Sequence, residues 1–114
     1  MSQQEYANYI VDTLTDFGTV TTRAMFGGIA LYKDGLIFAI VVRDTLYFKV
    51  DSSTRPEYEA LGSSPFTYQM KEKTGTMSYW EVPLEIIDDS EQLVQWAETA
   101  YLASARSIKK PKKR

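Results

Sequence analysis

A chain of 114 residues holds one domain and not two, and its 44% hydrophobic and 25% charged content is globular rather than disordered. It contains no His and no Cys, which excludes His-based triads, thiol nucleophiles, disulfides and His/Cys zinc sites, and leaves only carboxylates and carbonyls as metal ligands. The formal charge of −2 joins two opposites: Lys109, Lys110, Lys112, Lys113 and Arg114 carry +5, while residues 1–108 hold 8 basic against 15 acidic groups, a net −7.

The N-terminus, Met1 to Glu5, is polar and lacks the positive and apolar regions of a secretory signal. Ser2-x-x-Glu5 is a capping box, and Tyr6, Ile10, Leu14 and Phe17 recur at helical spacing, so a helix is expected from Gln3 to Phe17, closed by Gly18. Val20 to Phe26 reads as a strand, interrupted at Gly27-Gly28 by a turn or bulge and resumed from Ile29 to Tyr32. Asp34-Gly35 is a type I′ hairpin signal. Leu36 to Val42 is apolar in both phases and predicts a central strand covered on both sides. It is also the longest apolar run, far short of a membrane span. After a turn at Arg43-Asp44, Thr45 to Val50 alternates, with Leu46, Phe48 and Val50 inward and Thr45, Tyr47 and Lys49 outward.

Thr54-x-x-Glu57 forms a second capping box for a short helix with Tyr58 and Leu61 inward and Gly62 at its end. Phe66, Tyr68 and Met70 alternate with polar residues; Lys73-Thr74-Gly75 turns the chain, and Thr76 to Val82 pairs back until Pro83 ends the ladder. Asp89-x-x-Gln92 caps a last helix to about Ser107, with Leu93, Trp96, Ala97, Ala100 and Tyr101 on one face. The order is α-β-β-β-β-α-β-β-α. Hairpin-linked strands flanked by helices give an α+β fold: two layers, with a mainly antiparallel sheet of about six strands. Residues 1–108 form the domain, and 109–114 a basic, disordered tail.

Arg23-Ala24-Met25-Phe26-Gly27-Gly28, then Tyr32, Asp34-Gly35, Phe38-Ala39 and Leu46-Tyr47-Phe48-Lys49, resemble the N-terminal domain of the TfoX/Sxy family. Pro65-Phe66-Thr67-Tyr68, Met77 to Pro83 and the helix with Trp96 and Ala97 extend the resemblance over nearly the whole chain. The resemblance implies an α+β domain linked to transcription. Characterised members are positive regulators of competence genes, coactivators that work with the cAMP receptor protein. They carry a second, C-terminal domain, whereas this sequence stops at Arg114, so a stand-alone domain is expected. The resemblance implies no catalytic residues and no cofactor. The motif positions are Arg23, Met25, Phe26, Gly27, Gly28, Tyr32, Gly35 and Lys49, and a mainly structural role is expected for them.

Gly27-Gly28 lacks the Gly-rich loop, Lys and helix start of a phosphate-binding loop, and is read as a backbone turn. Arg23 is a surface ion-pair residue first and an anion or partner contact second; Lys49 is expected to be solvated. Asp88-Asp89-x-Glu91 lacks calcium-loop spacing and fits a helix start. The aromatics serve the core better than a nucleic-acid platform, because the body is acidic. Tyr9, Tyr32, Tyr47 and Tyr79 fall off the cleanest apolar stripes, and exposed together they would mark a protein interface. The leading expectation is therefore a cytoplasmic, non-catalytic domain that binds a protein of the transcription machinery. The alternative is weak, sequence-independent nucleic-acid contact through Lys109, Lys110, Lys112, Lys113 and Arg114, with a log K against log salt slope of about −4. A small ligand-binding domain or enzyme comes third. Val20–Phe26 and Phe66–Lys71 are the expected sheet edges, through which the chain could pair as a homodimer.

Overall fold

The computed structural model describes residues 2–25, 27–70 and 73–109, with side chains described outside 68–77 and 108–109. In chain order the elements are α1 (Gln3–Thr13), β1 (Thr21–Met25), β2 (Gly28–Lys33), β3 (Leu36–Val42), β4 (Thr45–Lys49), α2 (Arg55–Ala60), β5 (Pro65–Met70), β6 (Lys73–Glu81), α3 (Leu84–Ile87) and α4 (Ser90–Lys109). All six strands join one antiparallel sheet in the order β1-β2-β3-β4-β6-β5, so the expected α+β architecture holds and both expected edges are edges. The short helix α3, directly after Pro83, is an addition to the expected order. Among the described residues no helix is long and apolar enough to cross a membrane.

The helical layer lies on one face of the sheet. α1 packs on β2 and β3, and α4 on β3 and β4. Ile10, Leu14, Leu31, Phe38, Val41, Leu46, Phe48 and Leu93 are fully buried between the layers, with Ala97, Ala100 and Ala103 lining the buried side of α4. Small residues there let the helix approach the sheet closely. Lys33 lays its ammonium over the rings of Phe17 and Tyr101, 4.3 and 5.0 Å from their centroids, and ties the turn after α1 to α4.

The capping box of α1 forms in both directions: Ser2 Oγ accepts from Glu5 N, and Glu5 Oε1 from Ser2 N. The helix stops at Thr13, a turn before the expected Phe17, and residues 14–17 continue as turns that still bury Leu14 and Phe17. Asp34 (φ 52°) and Gly35 (φ 81°) both take the left-handed conformation that a type I′ turn requires. Met25 pairs with Gly28 across a tight turn in which Gly27 has φ 77°; Phe26 lies outside the described residues. Gly28 itself belongs to β2, so the Gly pair splits into a turn residue and a strand residue.

Three expectations are corrected. Thr54 makes no side-chain cap on α2; its hydroxyl instead accepts from Asp51 N at 2.9 Å. Leu61 is 47% exposed and only Tyr58 faces inward, because α2 ends at Ala60 and Leu61 falls in the turn that follows. Lys73 to Gly75 do not form a turn: β6 starts at Lys73, with Thr74 paired to Gln69 and Gly75 to Tyr68. The last helix also runs on to Lys109, taking in the first residue of the expected tail; residues 110–114 lie outside the described residues.

Asp51 organises the turn that leads into α2. Its carboxylate accepts from Ser53 N, Ser53 Oγ and Thr54 N at 2.8–3.1 Å, and its other oxygen from Arg106 Nε at 2.9 Å, pinning the end of α4 to the start of α2. Burial pushes this carboxyl up, but the hydrogen bonds from Ser53 and Arg106 outweigh it and hold the pKa down at about 2. A lowered carboxylate pKa stabilises the fold above the ordinary carboxylate range, and that stability is lost as pH falls through the native value. With Arg106 half exposed, the contribution is about 1 kcal/mol. Melting temperatures of wild type and Asp51→Asn should therefore differ at pH 7 and converge between pH 4 and 2. A gap that stays constant through that window would rule out the carboxylate's part.

Candidate functional site

Among the described residues the sheet has a second face that no helix covers. Which side chains reach it follows from the register. Arg23 pairs with Ala30, Ala30 with Ile40, Ile40 with Tyr47, and Tyr47 with Glu81, and antiparallel partners share a face. The adjacent row holds Thr21 with Tyr32, Tyr32 with Ile37, and Lys49 with Tyr79. Met25 and Gly28 complete the far end.

A register shift in β3 shapes this face. Leu31 pairs with Ala39 but Tyr32 pairs with Ile37, so Phe38 is an extra residue, a β-bulge. The bulge puts Phe38 and Ala39 together on the helical side and turns Ile37 over to the open side. β3 is thus buried in both phases as expected, but by different means. The helices cover Phe38, Ala39 and Val41, whereas Ile40 is buried by side chains of the sheet itself.

Those side chains form a small second core. Ala30, Ile40 and Tyr79 are buried in it, with Met25, Tyr32, Ile37, Val42, Tyr47 and Phe66 packed around. Tyr47 and Phe66 meet edge to face at 5.0 Å, and Tyr32 Oη donates weakly to Met25 Sδ at 3.8 Å. The two edge strands meet here. Met25 of β1 and Phe66 of β5 line one apolar cleft of about 140 Å³, with Gly28, Ile40, Val42 and Tyr79 among its walls. A flat six-stranded sheet could not bring its edges to one cleft; this one is coiled.

Polar groups rim the apolar floor. Lys49 is half buried rather than solvated: its ammonium donates to Ser78 Oγ at 2.8 Å and lies 5.4 Å from the Tyr79 ring centroid. Burial lowers its pKa, opposed by the nearby Asp51. Burial raises Tyr79 to about 12, with Tyr32 adding to the rise, and burial and Glu81 raise Tyr47. These phenols are neutral hydrogen-bonding groups at physiological pH. Arg23 is exposed on β1, beside a shallow hollow shared with Thr21, Thr22, Tyr32 and Gly35.

Of the motif positions, Arg23, Met25, Gly28, Tyr32 and Lys49 therefore share one face. Gly27 and Gly35 sit in the turns at the two ends of β2. Of the four tyrosines off the apolar stripes, Tyr32, Tyr47 and Tyr79 gather on this face, but Tyr79 is only 5% exposed. Tyr9 is elsewhere, stacked on Tyr6 of α1. Sequence reasoning missed Ile37, Ile40, Val42 and Phe66 as members of this face. The signal for Ile40 and Val42 was their phase opposite Val41; for Ile37 it was hidden by the bulge.

A model of the TfoX N-terminal domain family matches residues 12–104. The DNA transformation protein TfoX1 of Aliivibrio fischeri (strain ATCC 700601 / ES114) is 29% identical over 65 residues, which cover 57% of this chain and 31% of that protein. The match thus spans about a third of the relative's length.

Proposed function

The chain belongs to the TfoX N-terminal domain family, and from that premise we propose that it is a non-catalytic interaction module of DNA-transformation control. It acts through protein contacts made by the open face of its sheet. The observation that carries this is the convergence of Arg23, Met25, Gly28, Tyr32 and Lys49 on a face with an apolar cleft and no helical cover. An apolar floor with a polar rim is the composition of a protein interface. The partner is a protein of the transcription machinery, and the family resemblance names the cAMP receptor protein. The setting is cytoplasmic, where that machinery works.

The test is transformation frequency in a naturally transformable host whose chromosomal copy is replaced by variants. Arg23→Ala and Arg23→Glu alter the rim at an exposed position. Each is expected to lower transformation about tenfold, the effect of losing about 1.4 kcal/mol of contact, while leaving the melting temperature nearly unchanged, as surface substitutions do. Normal transformation by both variants would remove the open face from the function.

A further inference from the structure

We propose that β1 and the cleft beside it take an extended acidic peptide, which adds to the sheet as a further strand. This names the partner's chemistry for the open face and rests on the interaction role proposed above.

β1 is an outer strand, paired to β2 alone among the described residues, and Thr21 to Ala24 are all exposed. Its free backbone edge is a template for another strand. A strand laid outside β1 places alternate side chains on the open face, opposite Arg23 and Met25. Met25 lines the apolar cleft, and Arg23, two residues along the same face of β1, lines the shallow hollow beside Tyr32. The cross-strand pairs therefore ask for a carboxylate opposite Arg23 and an apolar residue two positions away, opposite Met25.

Charge decides between occupants. The acidic groups of the described chain lie on the helical side and in the turns, except for Glu81. Glu81 is on β6, across β2, β3 and β4 from Arg23. The ion pairs found among the described residues are Arg55–Glu59 and Arg106–Asp51, so Arg23 is not engaged there. A second copy offers the wrong chemistry at this edge: Thr21-Thr22-Arg23-Ala24-Met25 has one charge, and it is positive. Antiparallel self-pairing centred on the strand sets Arg23 against Arg23, and like charges directly opposite are destabilising. An acidic strand supplies what a second copy lacks.

The experiment is fluorescence anisotropy of the full chain with labelled peptides of alternating Thr, carrying one Glu and one Ile two residues apart. A matched set has Lys in place of Glu, or Ser in place of Ile. The Glu peptide is expected to bind about fivefold tighter than the Lys peptide, the size of an exposed ion pair. Arg23→Glu should reverse that order, and the Ser peptide should bind about tenfold more weakly than the Ile peptide. The peptide-side swaps need no protein variant, so a folding defect cannot imitate the result. Equal affinities for the Glu and Lys peptides, or no binding at millimolar concentration, overturn the proposal. Sedimentation showing a dimer that Arg23→Glu disperses assigns the edge to a second copy and also overturns it. In either case a fall in transformation with Arg23→Ala would leave the interaction role standing and retire only the acidic strand.

Discussion

Replacing Gly28 with Val is expected to lower the melting temperature by about 10–20 °C, or to leave the chain unable to fold at physiological temperature. The cause is not conformational freedom, since Gly28 is an ordinary strand residue without positive φ. It is close approach. A Cβ placed on Gly28 would stand 2.7 Å from the carbonyl oxygen of Val41 and 3.1 Å from Val42 Cγ2. The first neighbour is backbone of the central strand and cannot rotate away. Either the β2–β3 ladder opens beside Ile29 and Val41 or the cleft wall shifts. Overpacking of this kind costs about 1–3 kcal/mol and more when backbone must move, so Gly28→Ala is costly and Gly28→Val more so. Gly27 provides the contrast. A Cβ there meets nothing within 4 Å, and only its φ of 77° resists substitution. Gly27→Ala should cost about 1 kcal/mol, the ordinary penalty of a left-handed non-glycine residue. Differential scanning calorimetry of the three variants checks the order, and an unchanged melting temperature for Gly28→Val would contradict the close approach.

The contrast between these neighbours shows where the sequence was legible. Local chemistry announced itself: Ser2 and Glu5 for the first cap, Asp34-Gly35 for the hairpin, and the alternation of Leu46, Phe48 and Val50 for a half-buried strand. Those signals depend on neighbours within a few residues, as the interactions themselves do. Gly27-Gly28 marked a turn for the same reason, but which glycine turns and which one packs depends on β3, a partner 13 residues away at Val41. Thr54 does not cap α2 because its hydroxyl is taken by Asp51 N, while the Asp51 carboxylate holds Ser53 N, Thr54 N and, from α4, Arg106. No local pattern contains that long-range partner.

The candidate face was legible only in pieces. The motif residues could be picked out, but nothing in their spacing places Arg23 and Lys49 on the same side of one sheet. That follows from the strand order and from three successive registers. Coverage is equally a tertiary property. The apolar run of β3 signals burial in both phases, and it is silent on whether a helix or the sheet's own curl provides it. The acidic average concealed a further asymmetry, since negative charge concentrates on the helical side and leaves Arg23 and Lys49 to mark the other.

The bulge in β3 makes the sharpest test of this arrangement, through two adjacent residues. Phe38→Ala is expected to cost about 3–5 kcal/mol, the range for truncating a buried aromatic ring. Phe38 is fully buried, in edge contact with Phe17 at 5.0 Å and beside Phe48 at 6.0 Å, so its loss opens a cavity where the turn after α1 meets β3 and β4. Ile37→Ala should cost much less, about 1–2 kcal/mol, because Ile37 is only partly buried on the open face and its site can relax into the cleft. A regular ladder would give the opposite order. With Val41 and Ala39 inward, strict alternation carries Ile37 inward and sends Phe38 to the open face. Urea unfolding of the two variants distinguishes the cases. A larger loss for Ile37→Ala than for Phe38→Ala would mean that β3 has no bulge, and that Ile37 belongs to the main core rather than to the face proposed for partner binding.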